Sequence, residues 1–318
     1  MDRIVQALIA VIAVPIAVVG YILLVEAIIG RLPRRTAARI RPWLWVAPAL
    51  VFVGVFLVYP TIATIVRSTY NRRGDEFIGM GNYQWFFGQD STLVALRNNL
   101  IWVVVLTALV VGLGLLIAVL VDRVRYEGVV KSVVFLPMAI SFVAAGVIWR
   151  LMYDVDPNVG TLNAGIHAAG GQSVAWLSTA PLNTFMLIIV GVWMQAGFAM
   201  VILSAGLKGI STELLEAARV DGANERQVFR RIVLPLLAPT IAVVATTLVI
   251  FSLKTFDIVY VMTNGNFDTE VIANRMYKEL FNAGQQGRAA AIAVVLLVVI
   301  IPVMVVNVRR FRAQEALR

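Results

Sequence analysis

The 318-residue chain is 60% hydrophobic and 14% charged, with a mean hydropathy of +0.86, which excludes a water-soluble globular domain. Lacking cysteine and holding one histidine, His167, it forms no disulfide, thiolate metal site, cysteine nucleophile or multi-histidine metal site of its own. The formal net charge of +9 is spread over short segments beside apolar runs, a membrane-topology pattern and not a nucleic-acid-binding face.

A bilayer crossing needs about 20 apolar residues. The sequence offers seven such runs, at 4–29, 43–66, 99–121, 132–152, 183–206, 239–262 and 289–308. They are expected to be helices, because a lipid-exposed backbone must satisfy its own hydrogen bonds and barrel-strand alternation is absent. The fold class predicted is therefore all-α and polytopic. The first run is too long for a signal peptide and has only Arg3 as a basic flank, so it is expected to be a retained membrane helix. An Arg/Pro-rich stretch from Arg31 to Pro42 follows it. Residues 1–42 thus look like an appendage to a six-helix core at 43–310, with a tail at 311–318.

Lys and Arg in alternate connections set the orientation. One set holds Arg31, Arg34, Arg35, Arg39 and Arg41, then Arg123, Arg125 and Lys131. It continues with Lys208, Arg219, Arg226, Arg230 and Arg231, and ends on Arg309, Arg310, Arg312 and Arg318. The opposite set is poorer. The richer set is expected to be cytoplasmic, which puts the N-terminus outside and the C-terminus inside. The outer segments at 67–98, 153–182 and 263–288 are rich in Gly, Asn, Asp and Pro and read as caps on the outer face.

The polar connection at 207–238 has a pattern of its own. Thr212 is a candidate cap for a first short helix carrying Leu214, Leu215 and Ala218 on one side. Asp221-Gly222 predicts a bend, because glycine accepts a left-handed backbone without strain. A second helix is expected from Ala223 to Val233, stopped by Pro235 before the next crossing. The residues alone leave two readings: an interfacial amphipathic anchor or a docking element. Glu216 and Asp221 beside anionic headgroups disfavour pure anchoring.

Glu216-Ala217-Ala218, three residues, Gly222, nine more, then Ile232-Val233-Leu234-Pro235 resemble the EAA loop of binding-protein-dependent ABC importer membrane subunits. Ala205-Gly206-Leu207-Lys208-Gly209-Ile210, Phe135-Leu136-Pro137, Gly81-Asn82-Tyr83 and Thr263-Asn264-Gly265 resemble the carbohydrate-uptake branch, near maltose and α-glucoside permeases. That resemblance spans about residues 43–310. It implies a loop that inserts into a cleft of a separate ATPase, with Glu216 meeting a basic group, Ala217 and Ala218 allowing close approach, and Asp221-Gly222 setting the bend. The chain has no GxxxxGK[ST] phosphate loop, so ATP and Mg are expected on a partner ATPase dimer, with no cofactor and no catalytic residue here. The resemblance further implies a second permease subunit, an extracytoplasmic solute-binding protein and a bacterial or archaeal plasma membrane.

An importer needs a polar cavity near mid-membrane, and polar residues inside crossings usually face such an interior. Gln195 and Phe198 in the fifth run, with Phe251, Ser252 and Thr255 in the sixth, are the candidate substrate contacts. Aromatic faces with hydroxyl and amide groups suit a sugar. Each has a plainer role available: Phe198 and Phe251 as packing residues, Ser252 and Thr255 bonding back to their own helix, and nearby Lys254 and Asp257 pairing at i, i+3. Asp154, Asp156 and Asn158 are the candidates for docking the binding protein. An ion-coupled secondary transporter is the competing class. It would call for buried mid-bilayer carboxylates, whereas Glu26 and Asp257 lie near crossing ends.

Overall fold

The computed structural model describes residues 2–122 and 124–315. Arg123 and Arg318, counted above among the inner charges, lie outside the described residues. Among the described residues the chain is helical, with one isolated β-bridge between Tyr70 and Phe77. Six helices are long and apolar enough to cross a membrane, and up to seven if one bent pair forms a single span. The chain divides into two compact units, Met1–Thr64 and Ile65–Arg318.

The first unit holds α1 (Asp2–Gly30) and most of α2 (Arg34–Arg67). The basic stretch expected to link two crossings is instead the first part of α2. Pro33 caps it in an extended conformation (ψ 142°), and Arg and Ala are strong helix formers that carry the helix past Pro42. Inside this unit Arg41 Nη2 meets Glu26 Oε1 at 2.8 Å, and the Tyr21 hydroxyl donates to the Leu44 carbonyl. Most described side chains here are apolar and exposed, as a lipid-facing helix pair requires.

The second unit is built on α4 (Asp90–Val121) against α8 (Leu182–Lys208); the short α3 (Gly81–Phe87) precedes α4. Small residues allow the close packing. A Cβ on Gly114 would stand 2.6 Å from Ala199 Cβ, and one on Gly191 2.6 Å from Leu106 Cδ1. Around this seam Trp102, Leu106, Leu187, Met200, Leu237 and Leu248 are fully buried. α4 begins nine residues before the expected apolar run, because the polar turn opened by Asp90 is also helical, with an acid at the positive end of the helix.

The crossing expected at 132–152 is broken. α5 (Glu127–Phe135) leads through a 3₁₀ turn at Leu136–Ala139 into α6 (Phe142–Met152), and the pair is bent by 96°. Pro137 cannot continue the helix, and the Ser141 hydroxyl restarts it by accepting from Ala144 N at 3.1 Å. Gly197 of α8 makes the seat: a Cβ there would lie 2.6 Å from the Val134 carbonyl oxygen.

The short α7 (Thr161–Ala168) lies between α6 and α8, and α9 (Thr212–Val220) follows α8. The sixth crossing also differs at both ends. α10 runs from Glu225 to Leu253 as one helix, so Pro235 does not stop it. A π turn at Phe229–Val233 lets Leu234 N–H reach back five residues to Phe229 O, and Pro235, without an N–H, falls in the turn that follows. At the far end the helix stops at Leu253 and not at 262. The Asn99 amide takes the Leu253 carbonyl at 3.2 Å and the Ser252 carbonyl at 3.5 Å, two acceptors that a continuing helix would use. The chain restarts as α11 (Asp257–Met262), which packs on α6. After α12 (Ile272–Tyr277, extended by a π turn at Lys278–Asn282), α13 (Gln286–Glu315) completes the unit. The segments expected to cap the outer face therefore hold short helices as well as turns.

Candidate functional site

α9 ends in a Schellman turn. Gly222 adopts φ +85°, Gly222 N donates to Arg219 O at 3.1 Å, and Ala223 N donates to Ala218 O at 3.0 Å. The next helix begins at once with a capping box: Gln227 N donates to Asn224 Oδ1 at 2.9 Å, and Asn224 N donates to Gln227 Oε1 at 2.8 Å. Arg219 Nε meets Glu225 Oε1 at 2.7 Å, joining the two helices. That hydrogen bond to Glu225 pushes the Arg219 guanidinium above its already high ordinary pKa. Three independent devices thus fix one hairpin.

The hairpin turns its apolar side inward. Leu215, Val228, Phe229 and Val233 border a cavity of about 110 Å³ whose far wall is Val119, Asp122 and Leu207. Its other side is open: Glu216, Ala217, Asp221 and Gly222 are exposed, and Val220 is 87% exposed. Ala218 is half-buried, since its carbonyl is inside the Schellman turn. Glu216 makes no hydrogen bond or ion pair within the described residues. At the root of the hairpin, Glu127 on α5 pairs with Lys131 and with Lys208 (2.6 Å), tying α5 to the end of α8.

The sequence-derived pathway residues do not form one group. Phe251 and Thr255 line a cavity of about 30 Å³ with Phe142, Lys254, Phe256 and Asp257, and the Phe142 and Phe251 rings stand 5.2 Å apart. Thr255 is 4% exposed and its Oγ1 has no hydrogen-bond partner. Ser252 is apart from it: its hydroxyl donates to Leu248 O at 2.8 Å within its own helix. Phe198 packs against the main core, and Gln195 is half-buried on α8. The helix break puts Lys254 and Asp257 on either side of a non-helical corner, not one turn apart.

Asp154, Asp156 and Asn158 lie together on the loop after α6. Asp156 N donates to the Asp154 carboxylate at 2.9 Å, and Asn158 donates to Asp156 through its backbone N–H (2.9 Å) and amide (2.8 Å). These bonds, the backbone one foremost, hold the Asp156 carboxyl below its ordinary pKa. Sequence reasoning missed the buried amides that anchor such loops. Asn163 donates to Asp154 O at 2.7 Å and exchanges two bonds with Val174. Asn98 donates to the Asp268 and Glu270 carbonyls, and Asn183 to the Phe267 carbonyl. The available signal was the polar pair Asn98-Asn99 at the head of an apolar run.

The chain is thus a helical membrane protein with a fixed two-helix hairpin between two of its long apolar helices. Residues 110–312 match the family of binding-protein-dependent transport system inner membrane components. The osmoprotective compounds uptake permease protein GgtC of Synechocystis sp. is 51% identical over 279 residues, covering 86% of this chain and 100% of that protein. The alpha-glucoside transport system permease protein AglF of Rhizobium meliloti is 45% identical over 280 residues, covering 86% and 83%. A bacterial alginate ABC transporter chain, solved with an alginate pentasaccharide-bound periplasmic protein, shares the fold at TM-score 0.74 and 24% identity, covering 84% of this chain and 93% of that one. The chain belongs to the binding-protein-dependent transport system inner membrane components and is an ABC importer permease, a transport subunit and not an enzyme. The ion-coupled alternative finds no support.

Proposed function

We infer that this permease forms half of the pathway of an ATP-driven importer of α-glucosides or similar di- and oligosaccharides. The carrying observation is the hairpin: a pre-set docking surface of Glu216, Ala217 and Asp221 on a chain without a phosphate loop. A cytoplasmic ATPase dimer holds ATP and Mg, and its closure moves the hairpin. A second permease subunit, different from this one, forms the other half. The N-terminus lies outside and the C-terminus inside, so Asp154, Asp156 and Asn158 face the solute-binding protein. Transport follows alternating access, in which each partner favours one state over the other.

The sugar assignment rests on the relatives named for α-glucosides and osmoprotective compounds and on the aromatic cavity with its free Thr255 hydroxyl. Phe251 and Thr255 contact the solute, with Gln195, Phe198 and Ser252 completing the pathway in another state of the cycle. The test is uptake of labelled sugars by the complete complex in vesicles with its binding protein. The reading predicts ATP-dependent uptake of an α-linked glucosyl disaccharide. Uptake driven by an ion gradient without ATP would overturn it.

A further inference from the structure

Beside the cavity of Phe251 and Thr255 the structure places four more rings in unbroken contact. Phe256 and Tyr260, one turn apart across the start of α11, are stacked with centroids 5.1 Å apart and an interplanar angle of 23°. Tyr277, on α12, stands 5.2 Å from Phe256 and 5.0 Å from Tyr260. Phe281, one turn beyond it, stands 4.8 Å from Tyr277. The inner end is Phe256, which lines the cavity with Phe142 and Phe251. At the outer end Tyr260 is 38% and Phe281 66% exposed.

Neither ordinary packing nor a membrane-interface anchor accounts for this arrangement. A packing cluster would be buried, and an anchoring belt needs single rings facing lipid, not a chain of rings leading to an internal cavity. α12 is also held in place at a cost. Asn99 Oδ1 accepts from Ile272 N at 2.9 Å, Asn274 donates to Glu270 at 2.6 Å, and Lys278 pairs with Glu270 at 2.7 Å, all largely removed from water. Asn274 Oδ1 is left buried without a partner, so the network holds α12 through the bonds just named while one acceptor stays unmatched. The rings lie at the end of α10 away from the coupling hairpin, roughly 43 Å along 29 helical residues.

We propose that Phe256, Tyr260, Tyr277 and Phe281 form an aromatic track that takes successive pyranose rings of a glucosyl oligosaccharide and hands them to the Phe142–Phe251 cavity. The inference rests on the sugar-importer reading and adds where sugar units beyond the first bind. The C–H faces of pyranoses stack on aromatic rings, and the Tyr260 and Tyr277 hydroxyls, which interact with each other in this state, turn to the sugar's hydroxyls when it binds. The unpartnered Thr255 hydroxyl at the inner end, 4% exposed beside a cavity of about 30 Å³, receives the leading unit once that cavity widens in the transport cycle. Such a track predicts dependence on chain length, because longer sugars occupy more rings.

The experiment uses the intact complex in vesicles with its binding protein, and α-linked glucosyl disaccharide and trisaccharide as probes. Uptake per ATP hydrolysed is compared for wild type, Tyr277→Leu, Phe281→Leu and Tyr277→Phe. Leucine keeps apolar area without a ring face, and phenylalanine keeps the ring. The expected result is a drop of about fivefold in the trisaccharide-to-disaccharide uptake ratio in both leucine variants, with Tyr277→Phe near wild type. An unchanged ratio in the leucine variants overturns the track, as does failure of the second permease to co-purify with them, which would make the rings a subunit interface. If wild type takes up neither sugar, the sugar-importer reading itself fails, an outcome visible before any variant is compared.

Discussion

Ala223 N donates to the Ala218 carbonyl at 3.0 Å, closing a loop over Gly222 at φ +85°. This bond makes the second alanine of the Glu-Ala-Ala run part of the bend that follows it. The exposed face of α9 and the turn are therefore one piece.

Gly222→Ala isolates the backbone contribution. A Cβ at this position meets nothing within 4 Å, so its only cost is the left-handed conformation, roughly 1–2 kcal/mol. That strain opens the Schellman turn and lowers uptake severalfold, whereas Gly222→Asn, which tolerates this region, retains most of it. Gly222→Asp adds a charge beside Glu216 and Asp221 and abolishes uptake. Uptake by vesicles carrying each variant, with subunit insertion checked by immunoblot, measures this series.

Asn99→Leu removes three roles at once. Its side chain accepts from Ile272 N and donates to the Leu253 and Ser252 carbonyls, and the residue is 3% exposed. Leaving such groups buried and unpaired costs about 2 kcal/mol. The expected outcome is faster amide exchange across 253–257 and 268–274 with the α4–α8 seam unaffected. Hydrogen exchange on the purified complex reads it.

These two sites differ in how legible they were in the sequence. The EAA spacing and Gly222 mark the hairpin because backbone conformation there depends on local residue type. The number of crossings followed from apolar length for the same reason. The 96° bend in the fourth crossing and the corner after Leu253 were less legible. Pro137 and Ser141 were local signs of a break in the first, but its seat is the distant Gly197, and the corner depends on the distant Asn99, contacts that no local periodicity encodes. The pathway residues divided likewise: Phe251 and Thr255 meet in one cavity, but Ser252, their neighbour in sequence, turns back onto its own helix.

Gly197→Ala tests the seat of the bend. Its Cβ would fall 2.6 Å from Val134 O and 2.7 Å from Phe135 Cα, both backbone atoms, so α5 must shift. Overpacking of this kind costs roughly 1–3 kcal/mol. A lower midpoint in thermal unfolding of the purified complex is expected, while Gly165→Ala, inside a helix with open space around its Cβ, serves as the control and holds or raises the midpoint, a gain of about 0.5–1 kcal/mol.

Thr255→Val separates stability from transport. It replaces an unpartnered buried hydroxyl with a methyl group of similar size, so the fold is unchanged or more stable by about 1 kcal/mol. On the proposed assignment of Thr255 to the solute pathway, sugar uptake nevertheless falls. Ser252→Ala, whose hydroxyl serves only Leu248 O in this state, has the smaller effect of the two. Uptake rates and unfolding midpoints measured on the same preparations distinguish these effects.

The central claim is that the exposed face of α9 transmits the state of an ATPase to the membrane helices. The direct measurement is ATP hydrolysis by the reconstituted complex, with and without sugar-loaded binding protein, for wild type and Glu216→Lys. Glu216 lies on the exposed face and acts within the hairpin through its electrostatic attraction for Arg219, which the Glu225 pair also holds, so the variant is expected to fold and insert, as an immunoblot of the membranes checks. The account predicts stimulated hydrolysis and uptake in wild type and the loss of both in Glu216→Lys. Stimulation and uptake equal to wild type in that variant would contradict it.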